Sequence, residues 1–357
     1  MRVLIIKTSA LGDIIHALPV LDYLHQVAPG VTVDWAVEEQ FADLLSGNPL
    51  LSELRVLRTR RWRRQPFRVE TLREIQALWR ELRGRRYDYV FDIQGNLKSG
   101  IIAWATGVEQ RIGFSRNHLQ ESVNALFIKR RIPQRKEDDY AAGRYLRIVS
   151  VPFGRDYVGM KLSADIHAGQ AEEAAAEALI RDCGIGPVLL FHCGTTWQTK
   201  YWSDEGWIRL GQLVRSGFPE AAMLFSWGND TERATAERLA AAIGGHARVI
   251  GKYSLKGISA LLRKVDVVVG GDTGLIHLAA ALGTPTVSYY RASDGSVSGP
   301  RGSGHVIVQS PLACTRCQRT ACDKDAECRA SISADVIHAG IIKAYERYDG
   351  TGNKGNG

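Results

Sequence analysis

Long hydrophobic runs are missing from this sequence. A membrane-spanning helix needs about 18 or more consecutive apolar residues, and no stretch of the 357 residues approaches that length. A secretory signal is also missing, because Arg2 and Lys7 bracket only four apolar residues and Asp13 follows soon after. We therefore expect a cytoplasmic protein that meets membranes only at their surface.

Acidic residues are the minority among the charges. There are 38 Asp and Glu against 46 Lys and Arg, which gives a net charge of +8. The excess lies in the first half, where eleven Arg and only three Glu fall between Arg58 and Arg86 and a second basic cluster runs from Lys129 to Lys136. This asymmetry predicts an anionic partner for the first half, and nucleic acid, anionic lipid and a phosphorylated glycan all fit it.

Cysteine is scarce, with six residues, and a cytosolic chain is not expected to depend on disulfides. Four of the six, Cys314, Cys317, Cys322 and Cys328, fall within fifteen residues. This density suits a tetrahedral thiolate site for zinc or an iron–sulfur cluster. The spacing matches no standard zinc finger, so a loop of reduced or reversibly oxidised thiols is the alternative.

Apolar runs alternate with helical patterns along both halves of the chain. The candidate strands are Arg2–Lys7, Val31–Val37, Leu54–Leu57, Tyr87–Ile93, Val188–Phe191, Ala221–Phe225, Val267–Val269 and Thr286–Tyr289. The candidate helices are Leu11 to about His25, Thr71–Arg83, Asp204–Arg215, Thr231–Ile243, Leu255–Lys264, Leu275–Leu282 and Ala334–Arg347. Strands separated by helices predict βαβ units and parallel sheets.

The weakly periodic segment Val151–Gly169 predicts a connection between two halves of similar size. We expect Rossmann-like domains at 1–160 and 161–348 and a flexible tail at 349–357. It stays open whether the last helix packs back on the first domain. Ligands of such proteins favour the cleft between domains and the carboxyl ends of the strands.

The turn from Lys7 to Asp13 follows the first strand and precedes a helix. A carboxylate at this edge of a parallel sheet can accept a proton from an attacking hydroxyl. The alternative is an ordinary acidic residue that stabilises the start of a helix. The spacing of the glycines is not the G-x-G-x-x-G of dinucleotide-binding proteins.

Three strand-to-helix turns in the second half suit phosphate or ribose. Gly271–His277 opens a helix directly after a strand, which points backbone N–H groups at an anion. Thr195–Ser203 offers hydroxyls and the Lys200 ammonium for a diphosphate. In Trp227–Glu232, a carboxylate placed like Glu232 can hold ribose hydroxyls. Helix capping and solvated loops are the structural alternatives for all three.

These motifs together resemble the heptosyltransferases of lipopolysaccharide core assembly, glycosyltransferase family 9. The resemblance lies in MRVLIIKTSALGDIIHALPVL, VDWAVEEQFADL, RRWRR, YDYVFDIQGNLKSG, TTWQTKYWSDEGW, SWGND and GGDTGLIHLAAALGTPTV. VDWAVEE and RRWRR are most similar to the heptosyltransferase I branch, which adds the first heptose to the Kdo region of lipid A. The Cys cluster departs from the best-known members of that branch.

The resemblance implies a GT-B fold, two Rossmann-like domains facing across a cleft, and an inverting, metal-independent transfer at the inner membrane. It implies ADP-heptose as donor and Kdo–lipid A as acceptor, with Asp13 as catalytic base and Lys200 stabilising the leaving diphosphate. The implied donor contacts are Thr195, Thr196, Lys200, Glu232, Tyr253, Asp272, Thr273, Gly274 and His277. The expected acceptor contacts in the basic first half are Arg60, Arg61, Arg63 and Lys98.

Two other functions remain open from the sequence. A heptosyltransferase II, or another sugar transferase of the family, shares the same motifs. A non-enzymatic, basic nucleic-acid-binding protein fits the charge but leaves the phosphate-type turns of the second half unexplained. We therefore expect a glycosyltransferase that needs no catalytic cofactor and binds no nucleic acid.

Overall fold

Two six-stranded parallel sheets organise the part of the chain that the structure describes. The computed structural model describes residues 1–138 and 140–349, without the side chains of the last two. The chain divides into two units between His167 and Ala168, a few residues after the boundary predicted at 160/161. The predicted tail lies outside the described residues apart from Asp349, which ends the last helix.

The sheet of the first unit has the strand order β3-β2-β1-β4-β5-β6. Its strands are β1 Arg2–Ile6, β2 Thr32–Glu38, β3 Glu53–Leu57, β4 Tyr89–Asp92, β5 Arg111–Phe114 and β6 Arg130–Ile132. All neighbouring strands run parallel. Residues 3–6 of the central β1 are completely buried, as expected of a strand with helices on both faces.

Among the described residues of the first unit, seven α-helices accompany this sheet. They are α1 Leu11–Ala17, α2 Pro19–Val27, α3 Glu39–Leu45, α4 Thr59–Arg64, α5 Val69–Gly84, α6 Leu97–Ala105 and α7 Ala141–Ser150. The single helix predicted from Leu11 to about His25 is wrong, because Pro19 begins a new helix after a break at Leu18. Proline has no backbone N–H to continue a helix but fits its first turn.

The sheet of the second unit has the strand order β12-β11-β10-β7-β8-β9, again parallel throughout. Its strands are β7 Val188–His192, β8 Ala222–Ser226, β9 Ala247–Val249, β10 Val267–Gly271, β11 Thr286–Tyr290 and β12 His305–Gln309. The core on one face gathers Phe191, Trp207 and Phe225 with neighbouring aliphatic side chains. Both sheets therefore confirm the predicted Rossmann-like fold.

The described part of the second unit, residues 168–349, has eight α-helices. They are α8 Gln170–Arg181, α9 Asp204–Gly217, α10 Asp230–Ile243, α11 Leu255–Leu262, α12 Gly274–Ala281, α13 Gly295–Ser298, α14 Asp325–Ala330 and α15 Ala334–Asp349. The final helix, α15, packs within this unit against α9, β11 and β12. Within residues 1–138 and 140–349, no helix is both long enough and apolar enough to cross a lipid bilayer.

Candidate active-site residues in the two units

Asp13 lies where β1 gives way to α1, at the carboxyl edge of the first sheet. It is the third residue of α1, and its Oδ2 accepts a 3.2 Å hydrogen bond from the backbone N–H of Ala10. The side chain is 39% exposed. A fixed carboxylate that remains open to solvent can take a proton from an incoming hydroxyl.

Tyr145 and Lys7 hold the Asp13 carboxylate from the buried side. The Tyr145 phenol, on α7, donates a 2.9 Å hydrogen bond to Asp13 Oδ1. Lys7 Nζ lies 3.8 Å from Asp13 Oδ2 and 4.7 Å from the centre of the Tyr145 ring. Burial and the nearby Asp13 raise the pKa of Tyr145 well above its ordinary value, so the phenol stays a donor at neutral pH.

The Lys7 side chain has almost no access to solvent, at 1% exposure. Burial lowers its pKa, and Asp13 and Asp92 act in the opposite direction. Asp92 itself is fully buried and accepts hydrogen bonds from Ser99 Oγ at 2.9 Å and Asn124 Nδ2 at 2.7 Å. Asp13 therefore lies at the open end of a buried polar network, which fixes its position.

Gln94, just after β4, fixes the turn that leads to Asp13. Its Oε1 accepts hydrogen bonds of 3.0 Å from the backbone N–H groups of both Thr8 and Ser9. These groups are otherwise left without a partner where the strand ends. Gln94 thus joins the carboxyl ends of β1 and β4, which are neighbours in the sheet.

The predicted acceptor contacts fall into two groups. Arg60 and Arg63 lie on α4, are exposed, and pair with no carboxylate in the described part of the chain, whereas Arg61 forms an ion pair with Glu74. Lys98, on α6, donates to Glu38 at the end of β2 and is only one-third exposed. Arg60 and Arg63 are therefore available to an anion, whereas Lys98 already forms an ion pair with Glu38.

Three of the motifs in the second half meet at one edge of the second sheet. β7 pairs with β10 on one side and with β8 on the other. Lys200 and Asp272 lie in the connections that follow β7 and β10, and Glu232 lies in the first turn of α10, which follows β8. Because the strands are parallel, their carboxyl ends lie together, as the sequence predicted.

Lys200 and Asp272 form an ion pair across this edge. Lys200 Nζ lies 2.5 Å from Asp272 Oδ2 and 4.5 Å from the centre of the Trp197 ring. Burial opposes ionisation of Asp272, but the hydrogen bond from His277 and the Lys200 ammonium together lower its pKa below the ordinary value. Asp272 therefore holds Lys200 in place as a fixed cation.

The start of α12 carries the remaining residues of the Gly271–His277 motif. Gly274 begins the helix, and His277 Nε2 lies 3.5 Å from Asp272 Oδ1. Thr273 occupies the cap position without a capping hydrogen bond, and its Oγ1 is buried with no partner in the described structure. A buried hydroxyl without a partner is costly, so this position suits a ligand that supplies an acceptor.

The Glu232 carboxylate contacts both the loop that follows β8, at Gly228, and the loop that follows β7, at Gly194. Its Oε2 accepts a 2.7 Å hydrogen bond from the Gly228 N–H. A Cβ atom added at Gly194 would lie 2.4 Å from Glu232 Cδ, so only glycine leaves room for this carboxylate. Thr195 is half-buried and Thr196 is exposed, and their hydroxyls make no hydrogen bond within the described residues.

Tyr253 lies further along the same edge, after β9. It packs on α11, where a Cβ added at Gly257 would lie 2.9 Å from its Cδ1. Trp227, in the β8 loop, donates a 2.8 Å hydrogen bond to the carbonyl of Ile250, which draws the β8 and β9 loops together. Tyr253 is half-buried, so its ring offers an aromatic surface near the other predicted donor contacts.

Of the two alternatives for Cys314, Cys317, Cys322 and Cys328, the structure does not support the metal site. Within residues 1–138 and 140–349, no group of three or more His, Cys, Asp or Glu side chains is arranged to hold a metal ion. The four cysteines are free, and the first two are exposed.

The backbone of the Cys loop explains this correction. Arg316 and Gln318 have positive φ angles of 64° and 55° and donate backbone hydrogen bonds to the carbonyls of Arg291 and Ala292. These bonds fasten the loop to the chain that follows β11. Asp325 also accepts a 2.6 Å bond from the buried Arg291. The loop is thus held by contacts to Arg291 and Ala292.

Tyr145 and Gln94 were missed by reasoning from the sequence. Gln94 directly follows a predicted strand, so the rule that ligand-binding edges lie at carboxyl strand ends could have found it. Tyr145 lies 132 residues from Asp13 in a helix with no motif of its own. Only the packing of α7 against α1 brings the two together.

Solved structures of glycosyltransferases have the same fold. The chain matches the structure of E. coli heptosyltransferase WaaC with ADP at a TM-score of 0.78 and 28% identity, over 96% of this chain and all of that one. It matches the E. coli ADP-heptose lipopolysaccharide heptosyltransferase II at a TM-score of 0.76 and 17% identity, over 98% and 100%. The fold and the residues at the edges of its two sheets define a glycosyltransferase of the GT-B type.

Sequence comparison narrows this class to one family. Residues 75–326 match the profile described as glycosyltransferase family 9 (heptosyltransferase). Lipopolysaccharide heptosyltransferase 1 of Pseudomonas aeruginosa is 33% identical over 90% of this chain and 87% of its own. The Escherichia coli K12 enzyme of the same name is 31% identical over 87% and 94%. The chain belongs to glycosyltransferase family 9.

Proposed function

We propose that the protein transfers L-glycero-D-manno-heptose from ADP-heptose to a Kdo residue of Kdo–lipid A in lipopolysaccharide inner-core synthesis. The observation that carries the proposal is the Asp13 carboxylate, which is held by Tyr145 on its buried side and open to solvent. The curated relatives at 31–33% identity are lipopolysaccharide heptosyltransferases 1, which favours the Kdo acceptor over that of heptosyltransferase II.

The second unit is proposed to bind the donor. A solved relative of the same fold contains ADP, and another contains ADP-2-deoxy-2-fluoro heptose. In this chain the Lys200 ammonium and the partnerless hydroxyl of Thr273 suit the two phosphates, with Thr195 and Thr196 as further hydroxyl donors. Glu232 suits the ribose hydroxyls, and Tyr253 suits the adenine side.

The first unit is proposed to supply the base. Asp13 removes the proton from the attacking Kdo hydroxyl as its oxygen forms a bond to the anomeric carbon of heptose. The bond from that carbon to the ADP oxygen breaks on the opposite face, which inverts the configuration. Lys200 and the N-terminus of α12 stabilise the negative charge that grows on the diphosphate, the role that a divalent cation plays in other transferases.

A transfer assay tests this function. Purified protein, ADP-heptose and Kdo–lipid A should give a product heavier by one heptose, together with free ADP. The same rate with and without a chelator supports metal independence, and loss of activity that divalent cations restore contradicts it. Failure to transfer heptose to Kdo–lipid A while a heptosylated acceptor is used contradicts heptosyltransferase I specificity.

The basic residues of α4 are proposed to bind the anionic acceptor. Arg60 and Arg63 pair with no carboxylate in the described chain, so replacing both with glutamine leaves the Arg61–Glu74 pair intact. The double variant should raise the KM for Kdo–lipid A on the order of 100-fold or more, because each of the two charge-assisted hydrogen bonds contributes about 1.5–3 kcal/mol. ADP affinity should be unchanged, and equal loss of both affinities contradicts the assignment.

A further inference from the structure

Large apolar side chains are exposed on and just before α5. Phe67, in the turn between α4 and α5, is 91% exposed. Val69 and Leu72, in the first turn of α5, are 54% and 55% exposed, and Ile75 follows one turn later at 36%. Water-exposed apolar side chains are ordinary singly, but a contiguous group of them marks an interaction surface.

The apolar surface continues from α5 to α6. Trp79 of α5 makes an edge-to-face contact with Trp104 of α6, with ring centres 5.3 Å apart. Leu97, Ile101 and Trp104 follow one another at helical spacing on α6 and are all exposed, at 39%, 41% and 46%. Both helices therefore present apolar side chains that no other part of the described structure covers.

Arginines surround this surface, and most lack a partner. Arg61 pairs with Glu74. Seven other exposed arginines between residues 60 and 83 pair with no carboxylate in the described part of the chain: Arg60, Arg63, Arg64, Arg68, Arg73, Arg80 and Arg83. Arg80 and Arg83 also line an open groove of about 470 Å³ that contains Leu72, Ile75 and Trp79. Apolar side chains and unpaired cations thus share one face, which we call the α5–α6 face.

We infer that the α5–α6 face docks on the surface of an anionic lipid bilayer. Phe67, Leu72 and Trp104 enter the boundary between headgroups and acyl chains, and the arginines contact lipid phosphates. This division is how amphipathic helices bind membranes: buried apolar area and attraction of basic side chains act together. The inference rests on the proposed function in one respect, because a lipid-anchored acceptor gives the enzyme a reason to dock.

The composition of the α5–α6 face favours lipid over two other occupants. A second copy of this chain, meeting the same face around a two-fold axis, would bring seven more unpaired arginines against the first seven. Single-stranded nucleic acid needs aromatic platforms for stacking. On the α5–α6 face the exposed aromatic side chains, Phe67 and Trp104, are outnumbered by exposed aliphatic ones, which offer no stacking surface: Val69, Leu72, Ile75, Leu97 and Ile101.

Vesicle binding by the full chain tests the inference. The probes are vesicles of phosphatidylcholine alone and vesicles that also contain phosphatidylglycerol. The protein should sediment with the anionic vesicles, and added salt should weaken that binding. Replacing Arg68, Arg73 and Arg80 with glutamine should weaken it on the order of 100-fold, because each cation near an anionic membrane contributes about fivefold. Phe67→Ser with Leu72→Ser should weaken it about tenfold or more.

Matched variants on the second unit serve as controls. Ile185 and Val336 are also exposed, at 101% and 52%. Their serine variants, and glutamine variants of the exposed Arg181 and Arg209, should bind vesicles like the parent. Equal loss in control and test variants overturns the inference. So does equal binding to both kinds of vesicle, tighter binding to RNA at the same salt, or self-association that the Phe67→Ser, Leu72→Ser variant abolishes.

The same variants distinguish a failure of heptose transfer from a failure of membrane docking. ADP affinity and heptose transfer to a detergent-dispersed acceptor are measured on the same variants, and both should match the parent. Vesicle binding that falls while these two readouts hold supports docking by the α5–α6 face. If the parent chain binds vesicles but transfers no heptose, the proposed reaction is contradicted and membrane docking by the α5–α6 face is supported.

Discussion

The phenol of Tyr145 donates a 2.9 Å hydrogen bond to Asp13 Oδ1, although 132 residues separate the two in sequence. Tyr145 is buried on α7, and Asp13 remains open to solvent at the start of α1. Tyr145 therefore orients the Asp13 carboxylate, and because Tyr145 is buried it does not contact the proposed acceptor. Tyr145 is a positioning residue for the proposed base.

Replacing Tyr145 with phenylalanine removes this hydrogen bond and keeps the ring that packs beside Lys7. We expect kcat to fall about tenfold, because a misplaced base loses part of the proximity that the site provides. Donor affinity should be unchanged, since Tyr145 belongs to the first unit. Steady-state kinetics and ADP titration measure the two quantities.

Tyr157→Phe is the matched control for this prediction. Tyr157 donates a 2.5 Å hydrogen bond to the buried Asp138, in the same unit but in a different network. Both variants should lose stability, and only Tyr145→Phe should lose turnover. Equal effects on kcat would show that Tyr145 acts through stability alone.

The Asp13 and Tyr145 pair shows how far the sequence predicted this site. The turn that places Asp13 at the sheet edge was predicted because strand, turn and helix are local patterns that a short segment specifies. The role of Asp13 as base was implied only by the family resemblance. Tyr145 could not be predicted, because its role depends on the packing of α7 against α1. The break at Pro19 had a local cause, but continuous helical spacing across it masked the break.

Gly194 is predicted to affect donor binding, because it leaves room for the Glu232 carboxylate. The Cβ of Gly194→Ala would lie 2.4 Å from Glu232 Cδ, so the carboxylate must move. We expect the KM for the donor to rise about tenfold, the cost of one weakened hydrogen bond to a charged group. Stability should change little, because the flexible end of Glu232 can yield.

Gly304→Ala is the control for Gly194→Ala. An added Cβ at Gly304 meets nothing within 4 Å, so neither KM nor stability should change. A normal donor KM in Gly194→Ala would remove Glu232 from the proposed ribose contact.

The Lys200–Asp272 ion pair predicts a dependence of stability on pH. The pKa of Asp272 is lower in the folded protein than in the unfolded chain, so the pair stabilises the fold above the unfolded pKa of about 3.9 and that contribution is lost as pH falls. Asp272→Asn should cost up to about 3 kcal/mol near neutral pH. The difference from the parent should shrink below about pH 4.

Urea unfolding at several pH values measures this difference in the free energy of unfolding. Asp323→Asn is the control, because Asp323 is exposed and forms no ion pair within the described residues. A difference for Asp272→Asn that stays constant, or grows as pH falls, contradicts the assigned ion pair.

The free thiols should differ sharply in reactivity. Cys314 and Cys317 are exposed, whereas Cys193 is buried and burial raises its pKa to about 12. Brief treatment with iodoacetamide at neutral pH should alkylate the first two and leave Cys193 unmodified, because the thiolate is the nucleophile. Peptide mass spectrometry identifies which cysteines are alkylated. Protection of Cys314 and Cys317 in the native protein would contradict the exposed Cys loop.

The Cys loop also shows what the sequence could not decide. Four cysteines in fifteen residues left a metal site and a loop of free thiols open, and the described residues do not support the metal site. Backbone hydrogen bonds from Arg316 and Gln318 fasten the loop to the chain after β11. Spacing alone carries no information on such long-range backbone contacts. The strand-to-helix turns of Lys200, Glu232 and Asp272 came together as predicted, because parallel strands place their carboxyl ends side by side.

The most direct test of the account is the rate at which Asp13→Asn transfers heptose from ADP-heptose to Kdo–lipid A. Asparagine keeps the size of the side chain and its place at the start of α1 but cannot accept the proton. If Asp13 is the catalytic base, the variant's rate should be about 10²–10⁴-fold lower than that of the parent protein, with ADP affinity unchanged. Near-normal turnover by Asp13→Asn would contradict it.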